Sequence, residues 1–104
     1  MKWYKNLYYS EDARKKAVKI VKKLQNREFQ PGVYVITLSL EKSDLFDIYP
    51  SYVLLQDYFQ DKELVIIGLA CSMEEALQLV TDIVEEVYSS TKGVELRTYF
   101  QEQE

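Results

Sequence analysis

Residues 63–90 read ELVIIGLACSMEEALQLVTDIVEEVYSS, and this stretch decides the fold. Its first part, ELVIIGLAC, is apolar at both odd and even positions after Glu63. In an extended chain those positions face opposite sides, so the run predicts a central strand covered on both faces. The second part has a helical period: Met73, Ala76, Leu77, Val80, Ile83, Val84, Val87 and Tyr88 make one apolar stripe. Ser72 and Glu75 have the spacing of a capping box, Glu74 and Glu75 suit the positive end of the helix dipole, and Gly93 supplies a stop.

Downstream, VELRTYF (94–100) alternates, with Val94, Leu96, Thr98 and Phe100 on one side, as in a half-exposed strand near an edge. Strand, helix and strand with short joints predict a right-handed βαβ unit. The first third has the same punctuation. YKNLYY (4–9) is a candidate strand, and Ser10, Glu11 and Asp12 open a helix with the stripe Ala13, Ala17, Ile20, Val21 and Leu24. Then QPG leads into the strand VYVITLSL. Ser10 to Gly32 spans 22 positions, Ser72 to Gly93 spans 21, and each glycine is followed by a valine that starts a strand.

Two such units in series give an α+β chain, βαββαβ, which resembles the ferredoxin-like arrangement in architecture alone. That arrangement implies a four-stranded antiparallel sheet with both helices on one face. If YKNLYY is coil, the alternative is αββαβ, a three-stranded sheet with two main helices. Either way, 104 residues make a single domain over 1–104.

The joint between the second and third strands needs only a hairpin, yet it runs from 41 to 62. Within it, DLFDIYPSYVLLQDYF (44–59) holds five aromatic rings, three aspartates and no cation. A connection of this length carries structure or function of its own. Tyr49, preceding Pro50, is expected to be extended; a helical turn is expected around 43–48 and a short helix around 51–60. With both helices on one face, the other would expose β-strand side chains such as Val65 and Ile67, so something must cover it: the insertion folding back, a second copy of the chain, or a ligand. The expectation is a homodimer or another protein partner, with Phe46, Tyr49, Tyr52, Leu55, Tyr58 and Phe59 forming the interface.

Composition closes many alternatives. Histidine is absent, so histidine relays and nearly every histidine metal site are excluded. The single cysteine, Cys71, rules out an internal disulfide, thiolate zinc sites and CxxC redox chemistry, and suits a reducing cytoplasm. With three glycines, none in a GxGxxG or GxxxxGK pattern, the glycine-rich phosphate cradles are missing. No run approaches the roughly 18 apolar residues of a membrane span, and MKWYKNLYYSEDARKK lacks the apolar core of a signal peptide.

Charge is polarised: residues 1–30 carry nine basic and three acidic side chains, and residues 31–104 carry four basic and fourteen acidic. The first helix displays Arg14, Lys15, Lys16, Lys19, Lys22 and Lys23, with Arg27 beyond, and Lys15, Lys19 and Lys22 are candidate phosphate ligands. Nucleic acid is nevertheless not favoured at this level. Glu74, Glu75, Asp82, Glu85 and Glu86 would lie on the neighbouring helix and neutralise the patch, and no aromatic interleaves the lysines. Cys71, at a strand end before an N-cap, is a candidate reactive thiol for a small enzyme, but it lacks an activating base. The pairs Asp44/Asp47 and Asp57/Asp61 do not match a calcium loop and are read as caps. The expectation is a non-enzymatic cytoplasmic binding or regulatory module without cofactor, metal or membrane, acting through the 44–59 segment.

Overall fold

The centre of the molecule is the strand that the sequence marks out. In the computed structural model, which describes residues 1–39, 46–91 and 100, every residue of Val65–Ala70 is buried. In chain order the elements are β1 (Lys2–Tyr9), α1 (Glu11–Lys15), α2 (Ala17–Gln25), β2 (Tyr34–Leu38), β3 (Phe46–Pro50), β4 (Val65–Ala70) and α3 (Met73–Thr91). Two 3₁₀ turns, Ser51–Leu55 and Asp57–Phe59, join β3 to β4. The four strands form one mixed sheet in the order β1-β4-β2-β3. β4 pairs with β1 in parallel and with β2 antiparallel, and β3 lies antiparallel on the outer edge of β2.

This α+β sheet departs from the expected architecture. β1 and β2 flank β4 and run antiparallel to each other, so the first third is not a βαβ unit. The observed order is not the ferredoxin-like one. The three-stranded alternative also fails, because Lys2–Tyr9 is a strand. The strand expected over 94–100 lies outside the described residues apart from Phe100. That ring is fully buried, edge-on to Tyr4 at 4.8 Å and to Phe46 at 5.8 Å between ring centroids.

The insertion also behaves differently from expectation. Phe46–Pro50 is a strand, paired from Tyr34↔Pro50 to Leu38↔Phe46, where residues 46–48 were expected in a helical turn; residues 43–45 lie outside the described ones. The sequence FDIYP explains this, since it alternates as a half-buried strand must. Phe46 and Ile48 pack towards one core cluster and Tyr49 towards the other. Pro50 has no N–H to donate, and an edge strand tolerates it. The single helix expected over 51–60 is instead the pair of 3₁₀ turns, broken by extended Gln56.

The largest correction concerns the layers: the helices lie on opposite faces of the sheet. Ala76, Leu79, Ile83 and Val87 of α3 pack with Ile36, Leu38, Val65 and Ile67. Ala13, Ile20 and Leu24 of the α1–α2 layer pack with Val35, Leu64, Ile66 and Leu69, joined by Leu54 of the first 3₁₀ turn. Among the described residues each sheet face carries a helical layer, and the reason is β4 itself. A strand apolar on both sides needs a hydrophobic layer against each, and one helical layer per face buries both sets.

A bulge sharpens this arrangement. Opposite β2, partners run Ile36↔Gly68 and then Thr37↔Ile66, which makes Ile67 an extra residue and brings Leu69 onto the same face as Ile66. At the bulge, Gly68 allows close packing: an added Cβ would come within 3.2 Å of the Tyr8 carbonyl oxygen and 3.3 Å of a Leu79 methyl.

Helix ends are set by local chemistry. Ser10 Oγ accepts from the Ala13 N–H at 3.3 Å, and Ser72 Oγ accepts from the Glu75 N–H at 3.0 Å, the hydroxyl half of the expected capping box. The first helix divides at Lys16, whose φ of −118° and ψ of 15° leave the helical region. α2 closes with a Schellman motif. The Glu28 N–H donates to the Lys23 carbonyl and the Arg27 N–H to the Leu24 carbonyl, with Arg27 left-handed at φ 58°. On α3 the buried line runs through Leu79, while Met73, Leu77 and Tyr88, which the sequence placed in the stripe, are exposed.

Candidate functional site

The opposed layers change how the charges meet. The α1–α2 layer presents Arg14, Lys15, Lys16, Lys19 and Lys22 as exposed side chains. The acidic side chains of α3, Glu74, Asp82, Glu85 and Glu86, are exposed on the far side of the sheet. The side-by-side helix contact expected to neutralise the cations is not found among the described residues, although Glu11 and Asp12 open α1 and Lys16 and Glu75 both act on the Cys71 thiol. Among the described residues none of these five cations, nor Lys23, takes part in an ion pair. At 0.1 M salt the screening length is about 10 Å, roughly the width of one helical layer, so acids beyond the sheet weaken the patch little.

The basic surface is contoured. Arg14, Lys15, Lys16, Lys19 and Lys22 surround an open depression of about 510 Å³. A neighbouring one of about 410 Å³ is lined by Tyr9, Ala17, Val18, Val21, Lys22 and Gln25. The Arg14 guanidinium stands 6.0 Å from the centre of the Tyr9 ring. All three candidate phosphate ligands, Lys15, Lys19 and Lys22, therefore belong to one continuous exposed surface.

The six candidate interface residues do not form one patch. Phe46 packs on the α3 side of the sheet, against Phe100. Tyr49 and Phe59 pack on the other side, edge-to-face at 5.1 Å. Leu55 is half-buried, and its carbonyl oxygen accepts from the Arg27 guanidinium at 3.2 Å. Only Tyr52 and Tyr58 are exposed. Most of the described part of the segment is therefore engaged in its own fold, where Leu54, which the sequence places on the apolar surface of the expected 51–60 helix, contributes to the core.

One exposed feature was missed. Phe29, just past the end of α2, meets Tyr52 with ring centroids 5.5 Å apart and planes tilted by 37°. Its signal was present: a phenylalanine next to the QPG punctuation belongs to no periodic stripe, so no core position claims it.

The remaining chemistry is sparse. Cys71 is half-buried, and burial followed by the Glu75 carboxylate pushes its thiol above the ordinary value, against the opposing pull of Lys16. The thiolate expected from a helix N-terminus is therefore disfavoured. Asp47 accepts from the Tyr49 hydroxyl at 3.1 Å; Asp44 lies outside the described residues. Among the described residues no group of three or more side chains could hold a metal ion, and no helix is long and apolar enough to cross a membrane.

No protein-family model, curated protein or solved structure matches this chain.

Proposed function

We propose that this chain is a non-enzymatic nucleic-acid-binding protein that holds the phosphate backbone on the exposed cationic face of α1–α2. The supporting observation is the separation of charge by the sheet, with the lysine-bearing layer unpaired on one side and the acidic helix on the other. The chain as a whole is acidic, at −4. Phosphates nevertheless respond to the local surface, and contacts of this kind dominate affinity independently of sequence. The single cysteine suits a reducing cytoplasmic setting for this activity.

Fluorescence anisotropy with labelled oligonucleotides tests the proposal. Binding is expected to fall steeply with salt and to be lost or strongly weakened in the triple variant Lys15→Glu, Lys19→Glu, Lys22→Glu. Each phosphate contact removed lowers the magnitude of the log–log salt slope by about 0.7–0.9. Absence of binding at low salt, or a triple variant that binds like the wild type, overturns it.

A second reading has one observation in its favour. Tyr52 and Tyr58 are 44% and 61% exposed, more aromatic surface than the domain itself needs, as a contact between copies or with a protein partner would require. On this reading light scattering shows a dimer that Tyr52→Ala with Tyr58→Ala dissociates.

A further inference from the structure

We infer that the nucleic acid is single-stranded and that Phe29 and Tyr52 stack against its bases; this rests on the backbone-binding reading above. Phe29 is 64% exposed and Tyr52 44% exposed, and neither belongs to a core cluster. They come from distant segments, yet each is followed or preceded by a buried polar residue that fixes it. Gln30, 6% exposed, donates through Nε2 to the Ile20 carbonyl of α2 at 3.2 Å. Ser51, 2% exposed, donates through Oγ to the Gln30 carbonyl at 2.8 Å and through its N–H to the Val33 carbonyl at 2.8 Å. Arg27 ties the end of α2 to the Leu55 carbonyl. The backbone that carries the two exposed rings is thus tied by hydrogen bonds to α2, and the rings lie against each other.

That arrangement suits one ligand chemistry. Unpaired bases offer planar faces that stack on aromatic rings whatever their sequence, while a duplex keeps those faces inside its own stack. Cations on α1–α2 complement the phosphates, and rings at the end of α2 complement the bases. This pairing of a positive track with aromatic platforms is how single strands are held without sequence preference. A backbone fixed in advance also loses little freedom on binding.

Anisotropy titrations of the whole chain with a labelled oligothymidine and with a duplex of equal length test the inference. The single strand is expected to bind at least tenfold more tightly. Phe29→Ala with Tyr52→Ala is expected to lower single-strand affinity by roughly tenfold or more, while duplex affinity and the salt slope of single-strand binding stay unchanged. Phe29→Leu with Tyr52→Leu keeps apolar bulk without an aromatic face. It is expected to weaken binding similarly, which separates stacking from any loss of folding in the alanine variant. Equal affinity for strand and duplex overturns this inference and leaves the backbone-binding reading standing, whereas binding to neither overturns both. Wild-type affinity in the leucine variant, or a dimer that the alanine variant dissociates, assigns the rings elsewhere and overturns the stacking role.

Discussion

Thr37 stands in the middle of β2 with no exposed surface, and among the described residues its hydroxyl meets no hydrogen-bond partner. A buried hydroxyl without a partner costs desolvation energy that a methyl group of the same shape does not. Thr37→Val is therefore expected to stabilise the fold by about 1 kcal/mol, read as a melting temperature a few degrees higher. Tyr49 carries a different signature. Burial, the charge of Asp47, the hydrogen bond to it and nearby Tyr58 raise its hydroxyl from 10.0 to about 12. The folded value lies above the unfolded one, so the stability this group contributes is fully present below about pH 10 and is lost as pH rises through 12. An ultraviolet titration is expected to show a late tyrosine component near pH 12 that Tyr49→Phe removes.

At the scale of elements, the end of α2 gives a clean test. Arg27 is left-handed at φ 58°, a conformation that costs any residue with a Cβ about 1 kcal/mol, and it donates to the Leu55 carbonyl. Arg27→Ala loses the tie and keeps the backbone cost, whereas Arg27→Gly loses the tie and relieves the cost. Chemical denaturation is expected to find the glycine variant more stable than the alanine one by about 1 kcal/mol. The sequence carried no trace of this stop, because a Schellman motif normally advertises itself with glycine. β4 and α3 were legible for physical reasons: apolarity on both faces marks a central strand, and a period of 3.6 marks an amphipathic helix. The choice of Leu79 over Leu77 was not legible, since adjacent apolar residues widen the stripe without saying which edge is buried. β3 was hidden for another reason. FDIYP alternates over only five residues, and pairing with the edge of β2, a long-range event, makes it a strand.

At the scale of the molecule, the decisive information was which side of the sheet each helix takes. An amphipathic stripe says that a helix buries one face, not against which layer, so the charges of α1–α2 and α3 could be counted but not placed. Placing them on one face made the lysines look neutralised and the sheet look half bare. With one helical layer on each face, both conclusions reverse. The basic surface becomes available, and most of the aromatic insertion is absorbed by its own domain. Lys15, Lys19 and Lys22 were legible as candidates because exposed lysines at helical spacing need no tertiary context. The Phe29–Tyr52 pair was not, since residues 29 and 52 meet only once Ser51 and Gln30 are joined.

The parallel pairing of β1 with β4 also governs how the chain reaches this state. Lys2 pairs with Val65, 63 residues later, and β2 too depends on β4 for its inner neighbour. While the chain is being synthesised, the only pairing open to the described strands before β4 emerges is the β2–β3 hairpin. Closing the long loop between β1 and β4 is entropically costly, which slows folding relative to a sheet built from neighbouring hairpins. Of the described strands β1 is made before the others and is among the last seated, and until then Tyr4 and the half-buried Trp3, Tyr8 and Tyr9 lack β4 beside them.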